Sequence, residues 1–329
     1  MELKEMSYKE ALRLALNEEM KADEAVVVIG EDIGNYGGAC GITLGLLEEF
    51  GEERVLDTPK SESAIVGCGI GAALTGLRPI CEMSSTNQAA MALGEIINGA
   101  AKAHYLSGGS AQVPMVICIP VGMGKAMPQN SQSLESLFAM VPGLKVVAPS
   151  TPAQAKGLLK AAVQDDNPVV VLVSRDLMDM KGPVPVTPDY YLPLEQSYVE
   201  RAGSDLTVVS WGTPLVSVIE AAEHVGNEDI SVEVINPMTL HPMDLGPVYD
   251  SVKKTGRLLI VHEGSKTGGI GSEIAASVVE SDCFEYLEMP IARLGGLDVP
   301  IPYNRSLESV IAPQNEDIIQ SIYDLLGLN

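Results

Sequence analysis

The chain has 329 residues, 46% hydrophobic and 20% charged, enough to bury a full core and to divide into two domains. Its net charge of −23 at pH 7 excludes nucleic acid and anionic membrane as partners, because both would be repelled. No apolar run approaches the roughly 20 residues of a membrane span, and the five cysteines (40, 68, 81, 118 and 283) form no CxxC pair, so they read as reduced, mostly buried thiols.

In chain order, MELKEMSYKEALRLALNEEM reads as an amphipathic helix rather than a basic leader before an apolar stretch. A cytoplasmic location is the default expectation. AVVVIG (25–30), VPMVICIP (113–120), LKVVAP (144–149) and PVVVLVS (168–174) are buried strands by length and β-branched content. Between them NQAAMALGEIINGAAKAHYL is apolar almost all round, which predicts an interior or interface helix. STPAQAKGLLKAAVQDD opens with a Ser/Thr cap and a helix-starting proline.

The turn-rich stretch KGPVPVTPDYYLPLEQ (181–196) reads as a connector. A second alternating set follows: strands DLTVVSW (205–211), ISVEVINP (230–237) and RLLIVHE (257–263), with helices in TPLVSVIEAAEHV, near DLGPVYDSVKKT and in IAASVVES. Strands alternating with helices predict an α/β class with parallel sheets. The expected division is two open α/β domains, 1–180 and 201–329, with a linker over 181–200.

The glycine patterns are weak. GCGIG (67–71) lies inside a helical stretch and TGGIG (267–271) follows a strand, but neither has the spacing and acidic partner of a dinucleotide fingerprint. Close helix packing explains them better. There is no GxxxxGK[ST] and no GDG followed by a downstream Asn, so any phosphate grip comes from elsewhere. The four histidines, 104, 224, 241 and 262, lack metal-pair spacing. His262, in a His-Glu pair near a strand end, is the partial exception.

One residue stands out against its surroundings. Glu62 opens a long run of glycine, alanine and aliphatic residues in DTPKSESAIVGCGIGAALTGLRPI (57–80). Its simplest reading is an exposed first-turn glutamate after Ser61; the alternative is a carboxylate carried into an apolar interface to do chemistry.

The segments VVVIGEDIGNYGGACGITLGLLEEFGEERVLDTPKSE, GAALTGLRPI, AAKAHYLSGG, NSQSLESLFAMVPGLKVVAPSTPAQAKGLLKAAVQDDNPVV, VKKTGRLLIVHEGSKTGGIGSEIAA and PIPYN resemble the beta subunit of the thiamine-diphosphate-dependent 2-oxo acid dehydrogenases of the pyruvate, branched-chain and acetoin types. The likeness runs in order over nearly the whole chain. It implies a transketolase-type pyrimidine-binding domain followed by a transketolase C-terminal-type domain. It also implies an α2β2 heterotetramer in which the alpha subunit holds Mg2+ and the diphosphate while the beta subunit holds the aminopyrimidine of thiamine diphosphate. That division agrees with the missing GDG motif.

By the resemblance, Glu62 is the glutamate that hydrogen-bonds the pyrimidine ring nitrogen and promotes the imino tautomer that deprotonates the thiazolium carbon. A carboxylate in an apolar setting is disposed to share a proton with that nitrogen rather than stay a bare charge. The GAALTG run then reads as backbone packed at the subunit interface. Ala162, Val163, Asp165 and Asn167 resemble the family's potassium-binding loop, with K+ held mostly by backbone carbonyls; an ordinary polar helix exit is the alternative.

The departures from the pattern cluster. Asn130, in Asn130-Ser131-Gln132-Ser133, stands where the family carries a histidine assigned to acyl transfer, and an amide cannot act as an acid near neutral pH. Gln88 aligns to a phenylalanine that packs on the aminopyrimidine. Lys60 stands where a branched aliphatic is expected beside the ring, and the loop before Asn130 carries Lys125. Three functions follow. The first is a dehydrogenase beta subunit that decarboxylates a 2-oxo acid and passes the acyl group to the lipoyl domain of an acyltransferase. The second is a carboligase or transketolase-like enzyme on the same scaffold, and the third a non-catalytic interaction subunit.

Overall fold

The computed structural model describes residues 2–122 and 127–328. The strands of the first half are β1 (Leu3–Ser7), β2 (Val26–Glu31), β3 (Val55–Thr58), β4 (Arg78–Glu82), β5 (Val116–Val121), β6 (Lys145–Val147), β7 (Val169–Ser174) and β8 (Lys181–Pro185). Those of the second half are β9 (Tyr198–Arg201), β10 (Leu206–Ser210), β11 (Val232–Asn236), β12 (Thr239–His241), β13 (Leu258–Ser265) and β14 (Ala292–Gly296). They form a seven-stranded sheet ordered β12-β6-β7-β5-β4-β2-β3, a five-stranded sheet ordered β14-β13-β10-β11-β9, and a ribbon of β1 with β8.

Both large sheets are parallel except at one edge, where β12 runs antiparallel to β6 and β9 antiparallel to β11. Parallel strands need crossover connections, so helices cover both faces and the strands become apolar throughout. In β4 and β5 alternate residues serve opposite layers: Cys81 and Ile117 pack into one core, Ile80, Val116 and Cys118 into the other.

The helix expected at the start begins at Tyr8, not earlier. Ser7 accepts from the Glu10 amide while its own amide donates to Glu10 Oε2, a capping box. The residues before it are extended because they pair with β8. The single helix expected over 87–106 is broken into Thr86–Met91, a π-helical turn Glu95–Ala100 and Ala103–Leu106. The wide turn falls where Gly99 lets the chain pass close to Ile70; a Cβ there would sit 2.8 Å from Ile70 Cδ1.

The two halves share packing. β12 comes from the second half and completes the first sheet. One hydrophobic core runs from Ile117 and Phe138 to Val209, Trp211 and Ile235. Polar links cross the same junction: Ser174 Oγ to Thr213 Oγ1 at 2.6 Å, the Gly212 amide to Ser150 Oγ at 2.8 Å, and Ser133 Oγ to Glu263 Oε2 at 2.7 Å.

Candidate active site

Open parallel sheets expose functional groups beyond the carboxyl ends of their strands, and here the chain follows that rule. Glu31 closes β2, Lys60 and Glu62 follow β3, Ser84, Ser85 and Gln88 follow β4, and Asn130 lies beyond β5. Glu62 is the first residue of the Glu62–Leu74 helix. Although first-turn acids ordinarily face water, it is only 7% exposed, and its Oε1 has no hydrogen-bond partner. Next to it, Ser63 Oγ donates to the Met91 carbonyl at 3.1 Å, which fastens this helix to the end of the Thr86–Met91 helix.

That second helix starts from Ser85, whose hydroxyl caps the Gln88 amide at 3.3 Å. Gln88 is 9% exposed and its Oε1 is likewise without a partner. Ser85 Oγ also donates to Asn130 Oδ1 at 3.1 Å, which draws the segment after β5 onto the segment after β4. Lys60 Nζ lies 3.7 Å from Glu31 Oε2, which also accepts from Ser84 Oγ at 3.4 Å. Arg175 Nη2 donates to the Ser84 carbonyl. Lys60, Glu62, Gln88 and Asn130 therefore share one edge of the sheet, while Lys125 lies outside the described residues.

Two unpartnered buried acceptors, Glu62 Oε1 and Gln88 Oε1, are costly unless something donates to them. An aminopyrimidine carries an amino group and a protonatable ring nitrogen, so this donor-seeking set fits thiamine diphosphate. Potassium finds a different setting. Ala162, Val163, Asp165 and Asn167 lie at the opposite edge of the sheet, where the Pro152–Gln164 helix turns into β7. The Arg78 guanidinium donates there to the Val163 and Asp165 carbonyls at 3.0 and 3.2 Å and to Asp166 Oδ1 at 2.7 Å. Lys145 Nζ holds Asp165 Oδ2 at 2.7 Å and Asn167 donates to Asp165 Oδ1. Two of the carbonyls that K+ would use already serve a cation of the chain, so the donor set does not call for potassium and no role is assigned to it.

Sequence reasoning missed Ser85, Glu31 and Glu82. Ser85 was marked by Ser85-Thr-Asn-Gln88, the spacing of a capping box. Glu82, at the end of β4, is buried and takes the Ala39 amide at 2.9 Å while Oε2 is unpartnered. Burial pushes its carboxyl up to about 8. Gly38, at φ +73, leaves room for that carboxyl; a Cβ there would run into it.

His262 does not line this edge. It is fully buried, stacked on Trp211 with ring centroids 5.5 Å apart, and neither ring nitrogen has a partner. Gly269, Gly271 and Gly295 wall it in. Burial and then the Arg293 charge bring its value down to about 4, so it is a neutral core ring. Gly269 and Gly271 thus confirm close packing in TGGIG. In GCGIG only Gly69 does, against Cys81 Sγ, while Cβ atoms at Gly67 and Gly71 would meet open space.

Comparison with known proteins gives the family and the fold. The family model of the transketolase pyrimidine-binding domain matches residues 4–181, and that of the transketolase C-terminal domain residues 195–318. The beta subunit of the pyruvate dehydrogenase E1 component from Rhizobium meliloti is 44% identical over 98% of this chain and 70% of its own length. The chain belongs to the E1 beta-subunit family. The mitochondrial E1 beta subunits of Arabidopsis thaliana and Ascaris suum agree, at 43% and 42% identity over 97% and 98% of this chain and 88% and 91% of theirs. Among solved structures, a chain described as a split-gene transketolase, inactive beta4 tetramer, matches with a TM-score of 0.79 at 23% identity, covering 98% of this chain and 99% of that one. It shows that this E1 beta-type chain has the transketolase fold. Among the described residues no helix is long and apolar enough to cross a membrane.

Proposed function

We propose that this chain is the beta half of a thiamine-diphosphate-dependent E1 enzyme, which joins an alpha subunit as α2β2, decarboxylates a 2-oxo acid and passes the acyl group to a lipoyl domain. In this reading residues 1–180 and 201–329 are its two domains, and the alpha subunit holds most of the Mg2+ and diphosphate contacts. The observation that carries it is Glu62, buried at the head of its helix with Oε1 unpartnered at the carboxyl edge of the sheet. When bound, thiamine diphosphate supplies a nucleophilic carbon that lets the substrate carboxylate leave as carbon dioxide. Glu62 accepts a hydrogen bond from the pyrimidine ring nitrogen and holds the proton there. Gln88 Oε1 faces the same need for a donor, and the burial of Glu62 keeps water from its carboxylate.

A second reading gives the acyl unit to another electrophile, such as an aldehyde or ketone, in place of lipoyl. The Ser85–Asn130 hydrogen bond favours it, because the residue in the acyl-transfer position is a fixed amide without a proton to give. The buried, unpartnered Glu62 speaks against a purely non-catalytic subunit. The deciding experiment uses this chain co-expressed with an alpha-type subunit, with thiamine diphosphate, Mg2+ and a panel of 2-oxo acids and ketose phosphates. Carbon dioxide, acylated lipoyl domain and ligated products are followed in parallel. Acylated lipoyl domain upholds the first reading and ligated product without it the second; no cofactor-dependent turnover overturns both.

A further inference from the structure

Ser85 does more than start a helix. It is 1% exposed, extended at φ −169 and ψ 168, and its single hydroxyl meets two groups at once. The Gln88 amide is a donor only, so the Ser85 oxygen accepts there, at 3.3 Å. The hydroxyl hydrogen then goes to the other neighbour, Asn130 Oδ1 at 3.1 Å. An amide whose oxygen is held on one side presents its NH2 on the other.

We propose that Ser85 is a positioning residue that fixes the rotation of the Asn130 amide. With Oδ1 held against Ser85, Nδ2 is turned away from it, as a hydrogen-bond donor for a substrate oxygen. The proposal rests on the placement of Asn130 in the thiamine diphosphate crevice. It gives that position a defined polarity: a carbonyl or carboxylate oxygen is the complementary ligand atom, while a group that must be protonated there is not. The direction is set by the hydroxyl hydrogen, which Ser85 donates to Asn130 Oδ1 while its oxygen accepts from the Gln88 amide.

The test separates capping from orientation. Ser85→Ala removes both, Ser85→Thr keeps both, and Ser85→Asp keeps the cap but offers Asn130 only acceptors, which turns its amide over. Each is made with and without Asn130→Ala, and melting of the chain alone is recorded beside kinetics with the alpha subunit. The ratio of acyl transfer or ligation to 2-oxo acid consumption, measured with an artificial electron acceptor, is expected to fall about tenfold in Ser85→Ala and Ser85→Asp. Ser85→Thr should restore it, and Asn130→Ala should abolish the difference among the three. A Ser85→Asp enzyme equal to wild type, or losses that simply add to that of Asn130→Ala, would overturn the proposal. If wild type shows no cofactor-dependent turnover, the functional reading fails, and the melting cycle still decides the pairing. Coupling between the two positions supports it, and additivity overturns it.

Discussion

The two edges of the seven-stranded sheet treat polar groups in opposite ways. At the edge beyond the carboxyl ends of the strands, Glu62 and Gln88 are buried and each has an acceptor oxygen without a partner. At the other edge, the Ala162–Asn167 loop has its carbonyls and carboxylate met by Arg78, Lys145 and Asn167. Just behind that loop, Lys160 is buried between Glu18 and Glu19, at 2.6 and 3.1 Å, and Gln164 and Tyr191 donate to Glu19 as well. Both edges are polar, but Glu62 and Gln88 are left incomplete at the first, whereas the groups of the loop are met from within the chain at the second. The contrast separates the proposed cofactor edge from a structural one, because buried acceptors without donors are costly unless a partner supplies them.

The sharpest way to break this comparison is Glu62→Gln. With the alpha subunit present, cofactor-dependent turnover should fall about 10²-fold or more, while the melting temperature stays within a degree or two of wild type. A fall in melting temperature with activity retained would reverse the assignment of the two edges. Lys160→Met should do the opposite. Removing one member of a buried ion cluster leaves Glu19 without its ion partner, although Lys156 still holds Glu18 at 2.8 Å, and costs about 3 kcal/mol, seen as a drop in thermal stability, with turnover per folded enzyme retained.

A pH titration of stability sharpens it further. Glu82 and Glu135 are both pushed up to about 8 by burial, Glu135 also by the neighbouring Glu263 charge. Their folded values lie above the ordinary 4.5, so the fold binds protons that the unfolded chain releases. Their contribution is fully present below about 4.5 and is lost as pH rises towards 8. Chemical denaturation of the chain should show this decline, and Glu82→Gln, which keeps the Ala39 contact without an ionisable group, should flatten it.

The smallest effects lie along one helix. A Cβ at Gly69 would sit 2.5 Å from Cys81 Sγ, whereas one at Gly71 would meet nothing within 4 Å. Gly69→Ala should therefore lower the melting temperature of the isolated chain, and Gly71→Ala should raise it slightly, the gain in helix propensity being worth at most about 1 kcal/mol of stability. If Gly71→Ala also weakens association with the alpha subunit, the open face is an interface surface.

Part of the candidate site was legible. Glu62 announced itself locally as a charge at the mouth of an apolar run, whereas Asn130, Gln88 and Lys60 stood out only as departures from the pattern of the family that the chain resembles. The buried strands β2, β5, β6, β7, β10, β11 and β13 were legible as β-branched runs. The central strand β4 and the edge strands were not: β1 and β8 define each other only by pairing, and β12 is a three-residue strand whose partner, β6, lies in the other half. His262 was singled out as a partial exception because sequence shows its place near a strand end but not the glycines that enclose it.

By itself the sequence determined the α/β class and the order of the main strands and helices, because periodicity and composition act over a few residues, while it singled out Glu62 as a charge in an apolar run and left its role to the family resemblance. Tertiary structure alone decided which polar groups are satisfied. Arg78 reaches Val163 and Asp165 across more than 80 positions, and Ser85 reaches Asn130 across 45. Whether a buried oxygen has a donor depends on such distant pairings, and no local pattern encodes them.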